Sequence, residues 1–219
     1  MEGESIVSLS NIPDAVLCHI FSFLEVKDIA RLKAVSRRFQ TLCISVPSFS
    51  FSHPRRSPNC SCLHVFSFMK TLLRQRPHDL KINILSFSSS CIKSKHRKLH
   101  MLWLNRSFQA FCVNELSLNY VLPSIFKGLQ KFQSLKVLKL IMTDERYIVK
   151  LHEMRLASLE RLHIGGIETE DSVGEWVSQS FTSLRSLFLF DVNEAHVSTK
   201  QSDLIIRSSC LEDLTLGWI

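Results

Sequence analysis

Leu159-Glu160-Arg161-Leu162-His163-Ile164 is one of five stretches that share the frame apolar-x-x-Leu-x-apolar, and this recurrence decides the fold. The others are Val113-Asn114-Glu115-Leu116-Ser117-Leu118, Leu135-Lys136-Val137-Leu138-Lys139-Leu140, Leu184-Arg185-Ser186-Leu187-Phe188-Leu189 and Leu211-Glu212-Asp213-Leu214-Thr215-Leu216. Their first positions lie 22, 24, 25 and 27 residues apart. Within each frame the last apolar residues alternate with polar ones, the period of a strand with one buried face. The intervals carry apolar sets of their own, Ile125, Phe126, Leu129 and Phe132 in one and Val173, Trp176, Val177 and Phe181 in another. Such sets can cover the far side of a strand layer. A unit of this size cannot bury its own face, and stacking neighbours at a fixed period makes the core continuous. The expectation is an α/β repeat with a layer of parallel strands.

Strand geometry then names a face. The Leu and the last apolar residue of each frame point inward, so the third, fifth and seventh positions line the opposite side of the sheet. Those are Glu115, Ser117 and Asn119; Val137, Lys139 and Ile141; Arg161, His163 and Gly165; Ser186, Phe188 and Phe190; Asp213, Thr215 and Gly217. Phe188 and Phe190, with Val137 and Ile141 two strands away and Lys139, Arg161 and His163 beside them, give an apolar and aromatic patch next to a positive one. That mixture suits protein recognition, and burial of the two Phe residues under a neighbouring segment is the competing expectation. Ahead of the five frames, residues 66–74 read as a helix, Leu80-Lys81-Ile82-Asn83-Ile84 as an alternating strand, and residues 98–111 as another helix.

The first fifty residues carry helical periodicity instead. Val16, Leu17, Ile20, Phe21, Phe23 and Leu24 recur at helical spacing behind Pro13 and Asp14, which suit a first turn. Asp28 is placed to cap a second helix bearing Ile29, Leu32 and Val35, and Phe39, Leu42 and Cys43 form a third apolar set before Pro47. Three short helices bury little alone, so their remaining apolar face docks on the rest of the chain or on a partner.

The pattern Ile12-Pro13-x-x-Val16-Leu17-x-x-Ile20-Phe21-Ser22-x-Leu24, then Lys27-Asp28-Ile29, then Ala34-Val35-Ser36-Arg37-Arg38-Phe39, closely resembles the F-box motif. The resemblance implies docking on a SKP-type adaptor, which joins such a motif to a cullin–RING ubiquitin ligase. Carried over residue by residue, the adaptor-facing set is Ile12, Pro13, Val16, Leu17, Ile20, Leu24, Val35 and Phe39. Ile12 stands where Leu is commoner and Phe39 where Trp is frequent, and both keep an apolar anchor. The second half resembles the irregular leucine-rich repeats of plant F-box proteins, of the RNI-like type, down to Leu122-Pro123-Ser124-Ile125-Phe126 after the first clear strand. It lacks the Asn or Cys step of regular leucine-rich units.

Together these readings give an α/β chain, a three-helix F-box over residues 8–47 followed by a leucine-rich-repeat solenoid over 65–219. A Ser- and Pro-rich linker over 48–64 joins them, with a hinge expected near residues 47–58. The last frame is followed only by Gly217-Trp218-Ile219, so the array is expected to be short at its C-terminal end, without a polar capping unit.

Composition limits the remaining classes. The chain has 219 residues, 45% of them hydrophobic, and a net charge of +7. Residues 1–50, 51–112 and 113–219 carry 0, +10 and −3 respectively, so the excess is confined to the middle. No apolar run approaches the ~18 residues of a spanning helix, and the acidic start Met1-Glu2-Gly3-Glu4-Ser5 is unlike a secretory signal, which points to the cytoplasm or nucleus. The 7 cysteines, at 18, 43, 60, 62, 91, 112 and 210, have no repeated spacing and read as small hydrophobes rather than disulfide partners. Cys60-Ser61-Cys62-Leu63-His64, with His53 nearby, lacks the separations of a zinc clip, so no metal or other cofactor is expected. No phosphate-cradling loop, nucleophile elbow or paired-His motif is present, so the chain is read as non-catalytic. The functional expectation is a substrate-recognition subunit of an SCF-type ubiquitin ligase, with an unknown target and no membrane. A non-ligase repeat scaffold is the alternative, and a nucleic-acid-binding protein using Lys95, Arg97 and Lys98 is a third.

Overall fold

The computed structural model describes residues 9–53, 67, 70, 71, 74, 75, 82–89, 112–119, 126–142, 148–194 and 204–217. The N-terminal region is helical. After a 3-10 turn at Leu9–Asn11 come α1 (Asp14–Phe21), α2 (Val26–Leu32) and α3 (Arg37–Ser45). Ser36 caps α3 by accepting the backbone N–H of Phe39 at 3.1 Å. The cap expected of Asp28 falls elsewhere. Glu25 is the residue preceding α2, and Asp28 lies in the first turn, where it pairs with Arg31 at 3.0 Å and meets the positive end of the helix dipole.

Everything after the helices is organised by one sheet. The strands are β1 (Ser48–His53), β2 (Ile82–Ser89), β3 (Val113–Asn119), β4 (Val137–Ile141), β5 (Ile148–Val149), β6 (Arg161–Thr169), β7 (Ser186–Glu194) and β8 (Asp213–Gly217). They lie in the order β1-β2-β3-β4-β6-β7-β8, with β5 beside β6, and every pairing is parallel. The five sequence frames supply β3, β4, β6, β7 and β8 in register, so that Leu116, Leu138, Leu162, Leu187 and Leu214 are paired in sequence. A backbone device repeats at each strand entrance. Lys136 C=O accepts from the N–H groups of Glu160 and Arg161, Glu160 C=O from Arg185 and Ser186, and Arg185 C=O from Glu212 and Asp213. The side chains in that column alternate in sign, with Lys136 against Glu160 at 2.8 Å and Arg185 against Glu212 at 3.5 Å.

One core runs from the helices through the sheet. Leu17, Phe21, Val26, Ile29, Phe39, Leu42 and Cys43 are continuous with Val46, Phe49 and Phe51, and these with the inward Leu and Ile residues of β3 to β7. Two short helices, α4 (Phe126–Leu129) and α5 (Val173–Ser180), belong to the covering layer that the apolar intervals foretold. Trp176 of α5 donates its indole N–H to Met154 C=O at 3.2 Å and meets the Phe181 ring edge-on at 4.9 Å. Asp171, before α5, accepts from both the backbone N–H and the ring of His152, at 3.2 and 2.9 Å, tying a 3-10 turn at Leu151–Glu153 to the covering layer.

The interval 48–64, expected to be a linker with a hinge, begins instead with β1. The strict alternation Ser48-Phe49-Ser50-Phe51 puts both rings inward at 0% and 5% exposure, and Glu25 bridges to Ser50 from the helical side. Residues 54–64 of that interval lie outside the described residues, as does the helix expected over 98–111. Ser67, Lys70, Thr71 and Arg74, within the helix expected over 66–74, are helical. The strand expected over 80–84 is displaced forward, to Ile82–Ser89.

Candidate functional site

Two surfaces stand out, one on the helices and one on the sheet. On the first, α1 splits its apolar residues between two sides. Leu17 and Phe21 turn inward at 1% and 4% exposure, and Phe21 meets Phe39 edge-on at 5.3 Å. Val16 and Ile20 turn outward at 46% and 44%, and Phe23, in the turn that follows, is 76% exposed. Positions 16, 20 and 23 are spaced i, i+4 and i+7, so they follow one another up one side of the helix. Val35, in the turn before α3, is 66% exposed.

The eight residues assigned to an adaptor face by motif therefore divide. Pro13, Val16, Ile20 and Val35 are exposed, Ile12 and Leu24 are half-buried against the core, and Leu17 and Phe39 are buried within it. The last two can act on a partner only by holding the hairpin closed. Phe23, absent from the set, is its most exposed aromatic neighbour, and its helical spacing from Val16 and Ile20 was the signal for it. Arg38 was also missed. Its guanidinium reaches Asp14 Oδ1 at 2.6 and 2.8 Å, Ile12 C=O, and Leu9 C=O at 3.4 Å, so one side chain of α3 fixes the turn that presents Pro13.

On the second surface, the pairing register lays the outward residues into three rows. Glu115, Val137, Arg161, Ser186 and Asp213 form one; Ser117, Lys139, His163, Phe188 and Thr215 the next; Asn119, Ile141, Gly165, Phe190 and Gly217 the third. The candidate target residues Val137, Lys139, Ile141, Arg161, His163, Phe188 and Phe190 thus share one face. They are not equally open. Arg161 is exposed, Lys139, Ile141, His163, Phe188 and Phe190 are half-buried, and Val137 is only 6% exposed between its row neighbours Glu115 and Arg161. Lys139 pairs with Glu115 across the strands at 3.1 Å.

An aromatic ladder crosses the middle of this face. His163 stacks on Phe188 with ring centres 5.4 Å apart and planes within 24°, and Phe188 lies 5.7 Å from Phe190. Phe190 lies flat because it has glycines on both sides. A Cβ added at Gly165 would sit 1.9 Å from the Phe190 ring, and one at Gly217 would sit 3.0 Å from its Cβ. Burial, then the positive charges of Lys139 and Arg161, hold the His163 pKa below the ordinary imidazole value, with Glu115 opposing them. The ring is therefore a neutral stacking partner at pH 7.

The thiols of the helical region are inert. Burial pushes Cys43 up to about 11, and its Sγ donates to Ile29 C=O at 3.3 Å. Burial and the Asp14 charge also raise Cys18. Among the described residues, no group of three or more His, Cys, Asp and Glu side chains is placed to hold a metal ion, and no helix is long and apolar enough to cross a membrane. The Cys60, Cys62 and His64 cluster lies outside the described residues.

A short helical hairpin with a closed core, an arginine-clamped entrance and an exposed apolar stripe defines the class of the first surface. Residues 9–48 match the F-box-like family, and the chain carries an F-box-like domain there. Beyond that domain the chain is similar at low identity to plant proteins. An F-box/LRR-repeat protein of Arabidopsis thaliana is 27% identical over 158 residues, 71% of this chain and 34% of the relative. Two more proteins of the same plant carry the F-box/LRR-repeat name. One is 36% identical over 72 residues, 31% of this chain and 13% of its own length, and the other is 39% identical over 56 residues, 26% and 12%. The aligned stretches therefore span about a third or less of these relatives.

Proposed function

We propose that this protein is the substrate-recognition subunit of an SCF-type ubiquitin ligase, its F-box docking on a SKP-type adaptor and its strand array, a leucine-rich-repeat solenoid, holding the target. The observation that carries this reading is the outward stripe of Val16, Ile20 and Phe23, with Val35 exposed nearby, over a core closed by Leu17, Phe21 and Phe39. A monomeric helical hairpin has no use for four large apolar residues in water, and burying them on a partner is their natural outcome. The F-box-like match and the names of the relatives support the same partner class. The row containing Lys139, His163 and Phe188, with Arg161, Phe190, Val137 and Ile141 around it, supplies the target face.

In this reading the chain performs no chemistry. It contributes proximity, raising the effective concentration of a target lysine near the charged conjugating enzyme. The F-box takes residues 8–47, and the repeat region begins at β1 without a free hinge. The test is capture of purified SKP-type adaptor by the wild-type chain and by Ile20→Asp, an exposed position whose change leaves the core intact. Wild type binds and the variant loses at least tenfold in affinity. Absence of wild-type binding, or equal binding by the variant, removes the ligase reading.

A further inference from the structure

The two ends of the sheet are finished differently. At the β1 end, Glu25 bridges to Ser50, and Val26 and Ile29 of α2 share a core with Phe49 and Phe51, so the helices cover that edge. At the β8 end, no described residue pairs with the far side of the strand. Leu214 and Leu216 occupy the positions that are buried in β3, β4, β6 and β7, yet they are 48% and 54% exposed. Leu204 and Ile205, in the segment that crosses Gly174 of α5 and leads into β8, are 40% and 62% exposed. Glu212 C=O, next in the series of entrance carbonyls, accepts no bond from any described residue. An open edge with apolar side chains is a template for another strand.

We propose that β8 pairs with β8 of a second copy of this chain, antiparallel and centred on Thr215, to form a two-fold dimer. The residue order carries the choice of occupant. Antiparallel pairing about Thr215 sets Leu214 opposite Leu216 twice, Thr215 opposite Thr215, and Asp213 opposite Gly217 twice. No like charges meet. A parallel copy would stack Asp213 on Asp213 and Glu212 on Glu212, which is destabilising. The axis stands perpendicular to the sheet, so both apolar faces stay on the same side and the Leu residues close a shared strip. Because the helices cover the β1 edge, head-to-tail addition is blocked and the assembly closes at two. Phe188 and Phe190 lie one strand from the junction, so the dimer brings two aromatic ladders to one continuous face and makes it bivalent.

The test is sedentation-independent of any partner: light scattering and sedimentation of the 219-residue chain across concentration. A short interface predicts monomer below ~1 µM and dimer by ~100 µM. Leu214→Lys and Leu216→Glu, at exposed positions, each weaken association at least tenfold. Leu214→Lys with Leu216→Glu in one chain places opposite charges across both pairs and restores it. Thr215→Cys forms a 215–215 disulfide under mild oxidation, identified by mass spectrometry, since directly opposed residues have Cβ atoms about 4.5–5.5 Å apart. A wild-type chain that stays monomeric, a dimer indifferent to the single substitutions, a double variant no better than the singles, or no 215–215 link overturns the proposal.

Discussion

Gly165 and Gly166 are adjacent, yet their replacement by alanine should have opposite kinds of consequence. Gly166 has φ +67°, and a Cβ there would lie 1.8 Å from Met142 C=O. The left-handed backbone costs alanine about 1–2 kcal/mol. The overlap is with backbone, so β4 must separate from β6 at the point where Met142 N–H donates to Gly165 C=O at 2.9 Å, with loss of about 1 kcal/mol for that bond. Gly166→Ala therefore destabilises by roughly 3 kcal/mol, a fall in Tm of ~6–12 °C for a chain of this size. At Gly165 the obstacle is the Phe190 ring alone, a side chain that can swing away. Gly165→Ala should cost less in stability while raising Phe190 from the sheet and disturbing its contact with Phe188. Urea unfolding followed by far-UV circular dichroism measures both. A Gly166→Ala midpoint within 1 kcal/mol of wild type, or a Gly165→Ala loss equal to that of Gly166→Ala, would refute the reasoning.

Two further outcomes rest on titrating groups. The His163 imidazole has a folded pKa below its unfolded value of about 6.5, so the unfolded chain binds more protons in that window and stability falls as pH drops through it. Thermal unfolding at pH 7.5 and 5.5 should show a smaller drop for His163→Gln than for wild type, and equal drops would contradict the assignment. Thiol alkylation at pH 8 should modify the exposed Cys112 and Cys210 in the native chain and spare Cys43 until unfolding, as read by peptide mass mapping.

The strands bearing Leu at fixed spacing were legible because the buried positions of β3, β6 and β7 follow the frame residue by residue. β1 was hidden by composition. Its Ser and His residues and flanking Pro read as a linker, although the Ser-Phe alternation carried a strand's period. β5 is two residues long and has no period to detect. On the helical surface the motif located the right helix and could not divide its sides. Val16 and Leu17 are neighbours of similar polarity, and which one faces inward depends on where α3 packs. The Arg38 clamp joins residues 24 and more positions apart, a separation that no local pattern encodes.

The alternating column at the strand entrances constrains how such an array can change length. Lys136, Glu160, Arg185 and Glu212 occupy successive strands, so excising the single unit that carries Glu160 would bring Lys136 beside Arg185. Excising the units of Glu160 and Arg185 together would leave Lys136 beside Glu212, with the attraction intact. Each exposed contact is worth at most about 1 kcal/mol, which makes the rule a bias rather than a prohibition. Gain or loss of strands by duplication is easier in twos than in ones, and parity of unit number is written in the charge of a column that touches neither face.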